Sequence, residues 1–570
     1  MKASDYIVDF LIKQNITDVF GYPGGMVTYL MDSLGKRADK INSHITYHEQ
    51  AAAFAACGYA QATGKVGVAF ATSGPGATNL LTGIGHAFFD SVPTVFITGQ
   101  VNTFESKGNE AIRQKGFQET DIVSLAKPIT KEAIYIESPE KLHSALNKAF
   151  KNAMDHRRGP VLLDIPMNVF RADIDVNDET TVYDAAAEKC VVNDFSETLV
   201  KELSKAKRPC ILLGNGIKIA GQVENIRGIL RSCPMPVVSS MLAVDIIPEG
   251  QGLEGIYYGF VGAYGNRSAN FIVAKSDLII CLGSRLDIRQ VGAKRENFAP
   301  NATILRVDID NEELKNRIRE DEVDFCMELS EAIPVIRDVL SCEFDFSSWL
   351  EVCQKIKKQV KYIDEKYPNR IVNEISRIVP DDYSVAADVG QNMVWTAQSF
   401  KFKPRQMVYM SGGMGAMGFS LPAAIGVYEA THNPVICISG DGGIQMNIQE
   451  FQYLVRDCIP IKIFVLNNKA LGMIRHFQEM YFEGDYNFTI KEKGYAVPDF
   501  VRIAEAYGIK AKYIDKIEDI KNIKFSEGPE LFQVELNVDT VVYPKLEYGK
   551  PNQDQEPLLD RDLYKYLMEL

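Results

Sequence analysis

The chain has 570 residues, of which 46% are hydrophobic and 24% charged, and a formal net charge of −13. At roughly 100–200 residues per domain this makes about three to five domains of ordinary soluble composition. The acidic balance argues against a nucleic-acid partner, and no apolar stretch approaches the roughly 20 residues of a membrane span.

In chain order, MKASDYIVDFLIKQNITDVF reads as an amphipathic helix, with Tyr6, Val8, Phe10, Leu11 and Ile12 among charges. It lacks the apolar core and cleavage site of a signal peptide, so the expected compartment is the cytoplasm. In ITYHEQAAAFAACGYAQ the alanine-rich run from Ala51 to Ala60 reads as a buried helix with Glu49 at its threshold. An unpaired buried carboxylate is costly, so Glu49 is either solvated at a helix start or held there for chemistry.

KVGVAFATSGPG, VPTVFITGQV and GPVLLDIP then read as buried strands ended by Gly or Pro, and RADIDVNDETTVYDAAAEKC reads as a linker. The strand pattern restarts with RPCILLGNGI, MPVVSSM, SDLIICLGS and ATILRVDID. After a second polar region it resumes with YSVAADVG, NPVICISGDGG, IPIKIFVLNN and ELFQVELN. Short strands alternating with helices predict doubly wound α/β domains with parallel sheets. Three are expected, over 1–180, 190–345 and 360–545, with a polar tail from 546 to 570. The ten cysteines lack zinc spacing and read as buried free thiols, and the seven histidines show no metal-ligand spacing.

The most informative stretch is ISGDGGIQMNIQEFQYLVRDCIPIKIFVLNN. A strand over Val435 to Ser439 ends in Gly440-Asp441-Gly442. A helix carrying Phe451, Leu454 and Val455 follows, and a second strand, Ile461 to Leu466, ends in Asn467-Asn468. One β–α–β unit therefore puts Asp441 and Asn468 at the C-terminal ends of two parallel strands. Their oxygens suit Mg²⁺, and Gly440, Gly442 and Gly443 let the backbone approach a diphosphate near a helix N-terminus.

GDG, a crossover and NN resemble the thiamine-diphosphate signature. Around it the chain resembles the acetohydroxyacid synthase (acetolactate synthase catalytic subunit) family. FGYPGG (20–25), HEQ (48–50), TSGPGATN (72–79), TGQV (98–101) and FQE (117–119) resemble its first domain; SGGMGAMGFSLPAAIG (411–426) and NNKALGMIR (467–475) resemble its third. The resemblance implies a pyrimidine-binding domain, a central FAD or nucleotide domain and a diphosphate-binding domain. It implies that Glu49 hydrogen-bonds the cofactor's aminopyrimidine and promotes removal of the thiazolium proton. A carboxyl group in an apolar setting suits that task. Met417 would prop the cofactor in its folded form, and Gln118 would line the substrate pocket. Asp441, Asn468 and Ala470 are the implied metal ligands. Gly25, Gly390, Gln391, Asn392, Gly415, Gly440, Gly442, Gly443, Gly472 and Met473 are implied on the thiamine diphosphate side. Many relatives have His where Asn392 stands. Arg157, Gly214, Gly216, Gly262, Arg285, Arg289 and Asp308 are implied for a structural FAD, with Arg289 and Phe477 also facing substrate.

The chain departs from the family near the substrate entrance. Met167 replaces a Lys, Phe477 a Trp and Ile288 an Asp, and the polar stretch NTFESKGNEAIRQKG lengthens the segment between TGQV and FQE. The resemblance implies decarboxylation of pyruvate and transfer of the two-carbon unit to a second 2-oxo acid, in a homodimer or homotetramer. The family builds each site from the first domain of one subunit and the third of another. A nucleotide-activated keto sugar as acceptor, or simple decarboxylation, are the alternatives. A separate regulatory subunit is left open.

Overall fold

The computed structural model describes residues 1–175, 192–341, 344–361 and 365–570. The linker from residue 176 onward, together with Cys190 and Cys342, lies outside the described residues. Three parallel six-stranded sheets follow one another along the chain. The first holds β1 (Asp18–Gly21), β2 (Asn42–Ile45), β3 (Gly67–Ala71), β4 (Thr94–Gln100), β5 (Glu132–Tyr135) and β6 (Pro160–Pro166). The second holds β7 (Pro209–Leu213), β8 (Val237–Ser239), β9 (Tyr257–Phe260), β10 (Leu278–Leu282), β11 (Thr303–Asp308) and β12 (Val323–Cys326). The third holds β13 (Ser384–Ala387), β14 (Val408–Met410), β15 (Val435–Gly440), β16 (Lys462–Asn467), β17 (Lys510–Ile514) and β18 (Glu530–Glu535). Helices on both faces make them doubly wound α/β units, as the alternating pattern predicts.

The spatial orders are β2-β1-β3-β4-β6-β5, β12-β11-β10-β7-β8-β9 and β14-β13-β15-β16-β18-β17. The first and third are the same order, offset by twelve strands. The second reverses direction between β7 and β10, the switch point at which doubly wound sheets bind dinucleotides.

The first and third sheets dock through equivalent helices, each lying between the second and third strand of its unit. Glu49–Thr63 packs on Ser420–Thr431, and their apolar faces join one core cluster. The contact is reciprocal. A Cβ on Gly58 would stand 2.3 Å from the Ala423 carbonyl oxygen, and one on Gly426 would stand 1.8 Å from that of Ala55. Each helix thus offers an Ala-x-x-Gly notch to the other, and only glycine admits so close a backbone.

Three expectations change. The N-terminal helix covers only Ala3–Lys13, because Asn15 turns left-handed at φ 58°, and Asp18–Gly21 becomes β1 instead. The crossover after GDG is three short pieces, Asp441–Met446, Ile448–Glu450 and Phe451–Arg456. It breaks at Asn447, whose amide donates to the Gly418 carbonyl (2.9 Å) and Gln50 Oε1 (3.2 Å). The polar tail ends in a helix, Arg561–Glu569, whose Leu567 buries against Phe271, Ile356 and Val360 of the middle unit. The described cysteines are mostly buried, but Cys326 and Cys458 are exposed. Among the described residues no helix is long and apolar enough to cross a membrane.

Candidate active site

The GDG and NN segments meet at the C-terminal ends of β15 and β16, which pair in parallel. There the Asn468 amide oxygen lies 2.9 Å from the Ala470 carbonyl oxygen and 3.2 Å from Asp441 Oδ2, while its nitrogen donates to Gln391 Oε1 at 2.8 Å. Three oxygens converge with only the Ala470 N–H shared between two of them, donating to Asp441 Oδ2 and Asn468 Oδ1 at 3.3 Å each. Rotating the amide would relieve the repulsion but would lose the donor facing Gln391. A cation relieves it with no rotation, since adjacent oxygens on an octahedral Mg²⁺ stand about 3 Å apart. The donor set therefore fits Mg²⁺. Burial pushes Asp441 up to about 6, opposed by the Tyr495 hydroxyl, which donates to Oδ1 at 3.0 Å, and by nearby backbone N–H groups.

Glycines make the space beside this set. Cβ atoms on Gly472, Gly443 and Gly442 would meet Gln391 Oε1 at 2.1 Å, Asp388 Oδ1 at 2.5 Å and Met417 Cε at 3.0 Å. Gln391 is anchored on the Thr540 carbonyl (3.0 Å) and Asn392 on the Asp388 carbonyl (2.6 Å). Asp388, buried at the end of β13, accepts from the Gly418 and Ser420 N–H groups and the Ser420 hydroxyl at 2.7–3.0 Å, fixing the loop that carries Met417. Burial still raises its pKa.

A cavity of about 750 Å³ runs from here to the middle sheet. Of the residues singled out in the sequence, Gly390, Gln391, Asn392, Gly415, Met417, Gly440, Asp441, Gly442, Gly443, Asn468, Ala470, Gly472 and Met473 line one end. Arg157, Gly216, Arg285, Arg289 and Asp308 line the other. That end opens at the β7/β10 switch point, where a Cβ on Gly214 would stand 2.0 Å from the Gly283 carbonyl oxygen. Gly214 thus serves strand-end packing rather than the cavity wall, as does Gly262 (φ 135°), whose Cβ would meet the Arg289 carbonyl at 2.5 Å. The crevice suits a dinucleotide, but its cations are unequal. Arg157 donates to Asp310 (2.8 Å), Glu313 (2.7 Å) and Ser91 (3.0 Å), and Arg285 lies 3.5 Å from Glu313. Asp308 is raised by burial. Among the described residues the Arg289 guanidinium has no partner.

Glu49, Gln118, Gly25 and Phe477 do not line this cavity. Glu49 opens its helix at 9% exposure and accepts from the Asn79 amide at 2.9 Å. Its Oε1 is 3.2 Å from where a Gly76 Cβ would stand, and Gln118 packs on Gly74 of the same loop. Gly25 follows β1 beside Thr72, whose hydroxyl accepts from the Met26 N–H at 3.2 Å. Glu49, Gln118 and Gly25 thus gather at the strand ends of the first sheet, as a separate cluster. Phe477 is exposed and packs on Tyr481, with ring centroids 4.7 Å apart. The added polar segment folds around Glu119, which accepts from Ser106, Lys107 and Lys115 at 2.7–2.9 Å.

Sequence reasoning missed the residues that hold these groups: Asp388, Asn447, Tyr495 and Glu450. Glu450 is buried, raised to about 8 by burial, and accepts the Tyr47 N–H at 2.9 Å, two residues before Glu49. Only the polar letters inside the GDG crossover helix hinted at Asn447 and Glu450.

The thiamine pyrophosphate enzyme N-terminal TPP binding domain matches residues 1–125, the central domain 196–335 and the C-terminal TPP binding domain 388–526. The acetolactate synthase isozyme 2 large subunit of Escherichia coli K12 is 34% identical over 564 residues, covering 97% of this chain and 99% of its own. A probable acetolactate synthase large subunit of Methanocaldococcus jannaschii is 36% identical over 569 residues, covering 94% and 92%. That of Cyanidium caldarium is 34% identical over 578 residues, covering 96% and 95%. The chain belongs to the thiamine-diphosphate-dependent acetolactate synthase family. It is an enzyme that uses thiamine diphosphate to form carbon–carbon bonds.

Proposed function

We propose that this acetolactate synthase homologue decarboxylates pyruvate and joins the two-carbon unit to a second 2-oxo acid. The observation that carries the reading is the convergence of the Asp441, Asn468 and Ala470 oxygens beside glycine-lined strand ends. Thiamine diphosphate supplies the carbon acid and the electron sink when bound. Asp441, Asn468 and Ala470 would hold Mg²⁺, and the backbone at Gly390, Gly440, Gly442, Gly443 and Gly472 would face the diphosphate. Met417 and Met473 give that space an apolar wall. Glu49 holds or accepts a proton on the cofactor ring, and Gln118 and Arg289 orient substrate. The β7/β10 crevice would hold FAD in a structural role, since the overall reaction moves no net electrons.

Glu49 lies in a cluster apart from the metal oxygens, which supports a homodimer or homotetramer in which the first unit of one chain completes the third unit of another. Mixing two inactive variants, Glu49→Gln and Asp441→Ala, tests this directly. Hybrid dimers would carry one intact site, restoring roughly a quarter of the wild-type rate. No recovery after subunit exchange would overturn the shared site. Product analysis with Mg²⁺, thiamine diphosphate, FAD and pyruvate alone tests the reaction: 2-acetolactate is expected, and CO₂ with acetaldehyde alone would favour simple decarboxylation.

A further inference from the structure

The crossover that follows Asp441 reaches back to the first unit of its own chain. Glu450 is fully buried, and its two carboxylate oxygens accept the Tyr47 N–H at 2.9 and 3.1 Å. From the same crossover the Arg456 guanidinium donates to the Ile45 carbonyl at 2.9 Å, and the Asn447 amide donates to Gln50 Oε1 at 3.2 Å. One short stretch of the third unit thus holds Ile45, Tyr47 and Gln50, and Glu49 stands among them.

Docking alone does not explain a carboxylate at this position. Glu450 has no ion pair among the described residues, and Arg456, the cation that acts on it, is bound to Asp457 at 2.6 and 2.8 Å. An apolar side chain of the same size would join the two units without the cost of burying an acid. What the carboxylate adds is a fixed acceptor for a backbone N–H just outside the helix that Glu49 opens. Glu49 is therefore held from two sides. Its carboxylate accepts from Asn79 at 2.9 Å, and the backbone leading into it is held by Glu450.

We propose that Glu450 is a positioning residue for Glu49, and that it serves the active site across the dimer rather than the one built on the Asp441 of its own crossover. This inference rests on the shared-site reading above, in which Glu49 of one chain completes a site whose metal oxygens belong to another. Glu450 follows Asp441 in the same crossover, yet it grips the Glu49 segment of its own chain. The crossover is then divided between two sites: its start faces one cofactor, and its middle sets the carboxylate that acts on the other.

The test repeats the subunit mixing with Glu450→Met, which keeps the volume and removes both acceptor oxygens. Alone, this variant is expected to lower kcat by about 10- to 100-fold, with thiamine diphosphate affinity close to wild type. Mixed with Asp441→Ala it should recover to roughly a quarter of the wild-type rate, because one hybrid site takes Glu49 from the Asp441→Ala chain and its metal oxygens from the Glu450→Met chain. Mixed with Glu49→Gln it should gain nothing over its parents. Glu450→Asp, which withdraws the carboxylate by one methylene, should give the same pattern, so a Glu450→Met chain that fails to fold leaves the test intact. Glu450→Gln still accepts one N–H and should keep about half the rate or more. Recovery with Glu49→Gln instead would assign Glu450 to the site of its own Asp441 and overturn the proposal. Recovery with neither partner, the mark of a purely structural defect, would overturn it too, as would a wild-type kcat in both Glu450→Met and Glu450→Asp. If Glu49→Gln and Asp441→Ala fail to restore each other, the shared-site reading falls instead, so the two failures are distinguishable.

Discussion

The first and third units share one strand order and one docking helix, yet their strand ends carry opposite chemistry. After β15 and β16 come converging oxygens and glycines, a surface suited to a metal and an anion. After β2 and β3 come a buried carboxylate, Glu49, the Asn79 amide and a tight TSGPG turn, a surface suited to handling a proton. The sheets differ little, so function here resides in what is grafted onto equivalent loops. In the proposed reading two copies of one architecture divide the work, one holding the cofactor and the other acting on it.

That division is broken most sharply at Glu49. Glu49→Gln keeps the hydrogen bond geometry but cannot ionise, so turnover is expected to fall by about 10²–10⁴ with thiamine diphosphate affinity close to wild type. Pyruvate-driven CO₂ release and calorimetric titration of the cofactor give the two readouts. Asp441→Ala should do the reverse. Removing one of three converging oxygens is expected to weaken Mg²⁺-dependent cofactor binding by about 100-fold or more. If both variants lose affinity equally, the two loops do not divide the work.

The symmetry of the docking is tested next. Gly426→Ala places a methyl 1.8 Å from the Ala55 carbonyl and Gly58→Ala one 2.3 Å from that of Ala423. Neither backbone can yield without parting the helices, so each is expected to cost about 3 kcal/mol or more in unfolding experiments. At Gly25 nothing lies within 4 Å of an added Cβ, so Gly25→Ala should leave the melting temperature unchanged. A large loss at Gly25, or none at Gly426, would contradict this packing.

Much of this was legible in the sequence and some was not, for identifiable reasons. The inner strands β3, β4, β7, β10, β15 and β16 are buried on both faces and read as continuous Val/Ile runs. The edge strands β2, β5, β9, β12, β14 and β17 are short, and most are half-exposed, so no run marks them. Asp441 and Asn468 stood out because a known spacing puts them on neighbouring strand ends. Asp388 and Glu450 did not, since each is locally an ordinary charged residue and only the tertiary fold buries it. The shared strand order of the first and third units left no repeated motif, because each set of loops serves a different task.

The smallest effect separates two buried carboxylates, one in each unit. Among the described residues Asp388 accepts three hydrogen bonds, whereas Asp164 in β6 accepts only from Thr98 Oγ1 (2.7 Å) and Gln100 Nε2 (3.0 Å), and burial pushes it up to about 7. In the unfolded chain an Asp titrates near 4. Between those values the folded state binds the extra proton, so Asp164 reduces stability as pH rises from about 4 to about 7 and adds no slope outside that window. Asp164→Asn removes the titration at the cost of one hydrogen bond. The difference between urea midpoints at pH 5 and pH 8 should then shrink, by an amount worth up to about 3 kcal/mol. An unaltered difference would mean that Asp164 is ionised across the whole range, and that the first unit satisfies its buried charge as well as the third.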